Sequence, residues 1–169
     1  GDKSVSGFAA ETLVGMGWAY VAVGYTLTPG IALGDLVAEI NDAVEYLSSH
    51  AATFGIDPSR IVLAGHSAGA HLAACVLANI GRPAVSEAIA GAVLISGVYD
   101  LAPVARSYVS NLTPMTRQDV SDLSPLRYPP AVSGPVHLLI GADEPDAFQA
   151  QSRALQARWQ NYLPTLTSD

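Results

Sequence analysis

The chain is 169 residues long, 50% hydrophobic and only 14% charged, with 15 Asp and Glu against 8 Lys and Arg and a formal net charge of −7. Its mean hydropathy is +0.30, and Cys75 is its one cysteine. These values describe a globular domain with a substantial core, and they exclude a disordered tail and a disulfide-stapled scaffold. The acidic balance leaves no cationic footprint for a nucleic-acid backbone or an anionic membrane surface. No apolar stretch approaches the roughly 20 residues that cross a bilayer.

Taken in chain order, residues 5–16 read as a helix with Val5, Phe8, Ala9, Leu13 and Met16 on one face and Gly17 as its stop. WAYVAVGY at 18–25 reads as a buried strand, broken by Thr28, Pro29 and Gly30. Leu33, Leu36, Val37, Ile40, Val44, Leu47, Ala51 and Phe54 recur at helical steps and predict a long amphipathic helix ended by Gly55. IVLAG at 61–65 is a second strand, 68–80 a helix closed by Gly81 and Pro83, and GAVLIS at 91–96 a third strand. Prolines scattered through 98–135 predict a long excursion with a short helix near 116–123. VHLLIG at 136–141 is the fourth strand, followed by a helix over 146–161 with Phe148, Ala154, Leu155 and Trp159 facing inward. The expected fold is α/β: a doubly wound, mostly parallel sheet of four strands with helices on both faces, in a single domain over 1–169.

The chemistry is carried by Gly65-His66-Ser67-Ala68-Gly69, a G-x-S-x-G placed between a predicted strand and a predicted helix. A strand turning sharply into a helix forces the central residue into a strained backbone, and glycines two positions to either side relieve the crowding. The turn lifts the Ser67 hydroxyl above the carboxyl edge of the sheet. There the Ala68 amide, at a helix N-terminus, can donate to a developing oxyanion. A phosphate-binding doubly wound domain is a poor rival, because GHSAGA contains neither G-x-G-x-x-G nor the lysine of a P-loop.

GHSAGAHLA, with VAVGYTLTP before it and SGVYDLAPV after it, resembles the arylformamidase (kynurenine formamidase) and related carboxylesterase branch of the α/β-hydrolases. GADEPDAFQAQS at 141–152 is similar to that branch's acid loop and the helix start that follows it. The resemblance implies Ser67 as nucleophile. It also implies an acid at Glu144, counted back from Phe148, with Asp143 as the neighbouring alternative. The implied substrates are small carboxylic esters or aryl formamides, without a cofactor. Read from position alone, Asp143 and Glu144 both follow the fourth strand on the sheet edge that carries Ser67, where either could orient a histidine. The bland alternative makes them solvated loop acids, with Asp146 capping the helix.

The general base is missing. In this fold it follows the acid in the chain, whereas His50, His66, His71 and His137 all precede it, and each is expected to be structural. His66 and His71 are five residues apart, off the i, i+4 spacing of helical metal ligands, so no metal is expected. The resemblance also implies a His-Gly-Gly oxyanion loop upstream. The 169 residues are therefore expected to be an internal part of a longer hydrolase, without the N-terminal strands and oxyanion loop, and ending before the strand and loop that deliver the histidine. Such a chain should be nearly inactive. The remaining expectations are a small-molecule partner, a homodimer as an admitted assembly, a cytoplasmic location, and packing roles for Tyr25, Tyr99 and Tyr108. A non-catalytic binding or scaffold protein with a hydrolase fold is the alternative function.

Overall fold

In a computed structural model, which describes residues 3–82, 85–163 and 165–168, four strands form one parallel sheet in the order β1-β2-β3-β4. They are β1 Ile61–His66, β2 Ile89–Ile95, β3 Val136–Leu139 and β4 Leu166–Ser168. Parallel neighbours need crossover connections. α3 Ala68–Leu77 joins β1 to β2, α4 Leu101–Val104 and α5 Arg117–Asp122 lie between β2 and β3, and α6 Asp146–Trp159 joins β3 to β4. Before the sheet come α1 Ala10–Gly15 and α2 Leu33–Ser49.

Register places Gly65 opposite Leu94 and Leu94 opposite Leu138, so one sheet face carries Leu63, Ala92, Leu94, Val136 and Leu138. Of these, Ala92, Leu94, Val136 and Leu138 are no more than 2% exposed. α3 and α6 cover that face, and α2 packs on α3 with Leu36, Val37 and Ile40 in the same core. The fully buried Trp159 donates its indole N–H to Tyr128 O at 2.9 Å, so its one polar atom is satisfied. The opposite face is open: Val62 is 42% exposed, and Ala64, His66 and His137 are exposed too. The expected helical cover on both faces thus holds for one face only among the described residues.

Two further expectations are corrected. Residues 18–25 are extended but pair with no strand, and Trp18, Val21 and Val23 are exposed. A strand exists only as part of a ladder, and no described strand pairs with this run, whatever its composition. Its far end is fixed instead to α2, where Thr26 N and Oγ1 both donate to the Glu39 carboxylate at 2.8 Å. The helix expected over 5–16 is a 3-10 turn at Lys3–Ser6 followed by the six-residue α1, and Phe8 is 88% exposed. An apolar stripe with nothing to pack on does not hold a long helix together. The placement of the Val5 side chain lies outside the described residues.

Elsewhere the expected elements form with modest shifts. α3 stops at Leu77, three residues early, because Asn79 and Gly81 take left-handed φ values of 54° and 88°. Pro83 lies outside the described residues. Leu166–Ser168 forms a further short strand that pairs in parallel with β3 and that the sequence reading did not name.

Candidate active site

β1 ends at His66 and α3 begins at Ala68, which leaves Ser67 alone to turn the chain. Its φ of 54° and ψ of −116° lie where side-chain-bearing residues rarely go. The conformation is held from both sides: Ser67 N–H donates to Ile95 O of β2 at 2.9 Å, and Ser67 O accepts from His71 N at 3.1 Å. A Cβ on Gly65 would sit 2.3 Å from Gly69 O, so the bend requires glycine there. At Gly69 an added Cβ meets nothing within 4 Å. The expectation of two crowded glycines is corrected to one, because it is the Gly69 backbone that closes on Gly65.

Ser67 is half-buried, and its hydroxyl has no hydrogen-bond partner among the described residues. Ala68, exposed, is the first residue of α3, so its N–H has no acceptor inside the helix. A cavity of about 150 Å³ opens beside this turn, lined by Ala68, His71 and Leu72 from α3 together with Tyr25, Leu27 and Leu36.

The two neighbouring acids separate clearly. Glu144 Oε1 accepts from Ser96 Oγ and, at 3.3 Å, from Gly141 N–H, while Asp143 is exposed with no hydrogen bond among the described residues. Ser96 directly follows Ile95, whose carbonyl holds Ser67. Ser67 and Glu144 are therefore fastened to consecutive residues at the carboxyl end of β2, from opposite sides. Asp146 does not cap α6: the N-cap is Pro145, with no side-chain cap bond.

The four histidines sit in different surroundings. His71 is buried, and desolvation pushes it down to about 4, so the ring is neutral near pH 7. Its Nδ1 lies 3.1 Å from Val98 O, which can only accept, so Nδ1 carries the proton and Nε2 faces Cys75 Sγ at 3.6 Å. His50 stacks on Tyr46 at the end of α2, and His137 Nδ1 meets Thr167 Oγ1 across β3 and β4. His66 is exposed, with no hydrogen bond among the described residues. Of the three tyrosines, Tyr99 is packed in the core, Tyr25 is half-buried against it, and Tyr108, at 80% exposure, is not packed at all.

Among the described residues no group of three or more His, Cys, Asp or Glu is placed to hold a metal ion, and no helix is long and apolar enough to cross a membrane.

A family model described as the alpha/beta hydrolase fold matches residues 3–163. The chain belongs to the α/β-hydrolase fold family. This α/β-hydrolase is 40% identical over 110 residues to the kynurenine formamidase of Danio rerio, an alignment covering 64% of this chain and 36% of that protein. It is 28% identical over 168 residues to esterase LipQ of Mycobacterium tuberculosis, covering 86% of this chain and 39% of the relative. The chain thus spans little more than a third of the length of the curated relatives it matches. Among solved structures, a putative thioesterase from Silicibacter aligns with a TM-score of 0.76 at 30% identity, covering 92% of this chain and 58% of that one. Esterase B from Lactobacillus rhamnosis aligns with a TM-score of 0.79 at 23% identity over all of this chain and 60% of its own, a likeness of fold.

The structure of this α/β-hydrolase also gives work to residues whose roles the sequence did not disclose. Gln151 Oε1 accepts from Tyr99 N (2.8 Å) and Asp100 N (2.7 Å), and its Nε2 donates to Asp100 O (2.9 Å). Two residues earlier, Gln149 Nε2 donates to Gly141 O at 3.0 Å. α6 thereby grips both the acid loop and the chain leaving β2. Asp100 caps α4 by accepting from Ala102 N at 3.0 Å, so in YDL the Asp shapes a turn. Ser96 was equally hidden. The only signal was a small hydroxyl residue one step past a strand end.

Proposed function

We propose that the protein is a serine hydrolase of small carboxylic esters or aryl formamides that works through an acyl-enzyme on Ser67. The observation that carries this reading is the turn itself: one serine in a disfavoured φ, ψ pair at the carboxyl edge of a parallel sheet, with an unshared hydroxyl beside the first amide of α3. Strained, over-determined backbone at an exposed sheet edge is a mark of a functional residue. Membership of the α/β-hydrolase family and the formamidase and esterase names of its relatives support the same class.

In the proposed cycle Ser67 Oγ attacks the carbonyl carbon while a histidine takes its proton. The histidine returns that proton to the departing alcohol or arylamine, and water then releases the acid from Ser67 by the same path. Ala68 N–H faces the charge that builds on the carbonyl oxygen. Glu144 is preferred to Asp143 as the acid, because its bonds hold it beside the end of β2, whereas Asp143 is free in solvent. His71 does not serve as the base: it is buried, neutral and engaged at both nitrogens. The base and the second oxyanion donor are assigned to residues of a longer chain, in keeping with the third or so of their relatives that these residues span.

A fluorophosphonate probe and 4-nitrophenyl acetate test the reading. The longer chain should label at Ser67 and hydrolyse the ester, and Ser67→Ala should lower turnover by about 10³-fold or more. The 169-residue chain should hydrolyse at a rate that Ser67→Ala does not change. Undiminished turnover by Ser67→Ala in the longer chain would refute the nucleophile.

A further inference from the structure

We propose that Ser96 is a positioning residue for Glu144, an inference that rests on the reading of Glu144 as the acid of the site. Ser96 is 3% exposed and has φ 48°, a left-handed conformation that glycine adopts freely and serine does not. Its backbone is fixed by a bond from Ser96 N–H to Leu139 O at 2.8 Å, so the side chain has little freedom to point elsewhere. The hydroxyl donates its one proton to Glu144 Oε1. Gly141 N–H, at 3.3 Å, donates to the same oxygen. Oε2 accepts no hydrogen bond among the described residues.

Both donors on one oxygen give the carboxylate a defined orientation and leave the other oxygen open to an imidazole N–H. A loop acid held only by its backbone samples several rotamers, and each wrong one leaves the base unoriented. Ser96 also stands on the strand that holds Ser67, through the adjacent Ile95 carbonyl, so nucleophile and acid share one reference point. Glycine at 96 would remove the backbone strain and lose this contact; the hydroxyl is what the strained residue supplies.

The test uses the longer chain proposed above, with Ser96→Gly, Ser96→Ala, Glu144→Gln and the double variant Ser96→Gly/Glu144→Gln. Ser96→Gly should lower kcat about ten-fold with KM nearly unchanged, the loss of one hydrogen bond to a charged group. Its thermal midpoint should hold or rise, because glycine accepts φ 48° without strain. Ser96→Ala should lower kcat by a similar factor with no gain in midpoint. In the Glu144→Gln background the Ser96→Gly change should shrink to within about two-fold. A fall in kcat with a preserved midpoint is an effect that a purely structural role does not produce. Wild-type kcat in Ser96→Gly, or an equal loss in both backgrounds, overturns the inference. If Glu144→Gln itself keeps full turnover, the acid assignment fails and takes this inference with it. If Glu144→Gln is impaired and Ser96→Gly is not, the inference alone fails. Should Ser96→Gly not fold, Ser96→Ala carries the same cycle.

Discussion

Strand β1 at Ile61–His66 and the extended run at 18–25 are built from the same kinds of residue, apolar and partly β-branched with a glycine among them. β1 pairs with β2 from Ile61 to His66, in unbroken register from Val62 on, and its carboxyl end is bolted down by the Ser67 to Ile95 bond. The 18–25 run has no ladder, and three of its large side chains face solvent. The difference is the neighbour rather than the composition: the same alternation is a strand beside β2 and an extended segment without a partner.

Hydrogen exchange should separate the two regions most widely. Amides of β1 that bond into β2 should exchange more slowly than those of 18–25 by about 10³-fold or more, as core strands do against unpaired chain. Equal protection would mean that the run has a partner. Gly65→Ala attacks the paired region at its tightest point, where a Cβ would lie 2.3 Å from the Gly69 carbonyl oxygen. Urea unfolding should show a loss of about 3 kcal/mol or more.

The helix behind the elbow supplies a pH test. Burial holds His71 at about 4, below its ordinary 6.5, so the unfolded chain binds a proton that the folded chain refuses. The contribution is intact above about pH 6.5 and is lost as pH falls toward 4, by on the order of 3 kcal/mol. Urea midpoints at pH 7 and pH 4.5 measure the drop, and His71→Asn should flatten it. The smallest effect is expected at Gly69→Ala. With open space at its Cβ and a place in the first turn of α3, it should change stability by less than about 1 kcal/mol, in the stabilising direction. A large loss there would restore the symmetric picture of two crowded glycines.

The elbow was legible in the sequence because it is local: strand, turn and helix lie within 61–77, and the demand for Gly65 comes from a residue four positions away. The strand status of 18–25 was not legible, since it depends on a partner distant in the chain. β4 was missed because its three residues are too few to show a period of two. Asp143 and Glu144 are equivalent to any reading of position. They part through the hydrogen bonds that Glu144 alone accepts, from Gly141 N–H nearby and from Ser96, 48 residues earlier in the chain. Gln151 was visible as part of a motif without a reason, and the reason is a clamp on Tyr99 and Asp100 across two crossovers.

The Ser67 amide proton is given to Ile95 O of β2. In the proposed acyl-enzyme cycle that amide is therefore not free to meet a negative oxygen on a carbonyl bonded to Ser67, and the Ala68 N–H is the neighbouring donor left for it. The bend that presents the proposed nucleophile thus commits one of the two nearest backbone donors to holding the bend in shape. On the proposed reading, fast turnover depends on a second donor from another segment, and the placement of that segment would set the catalytic ceiling.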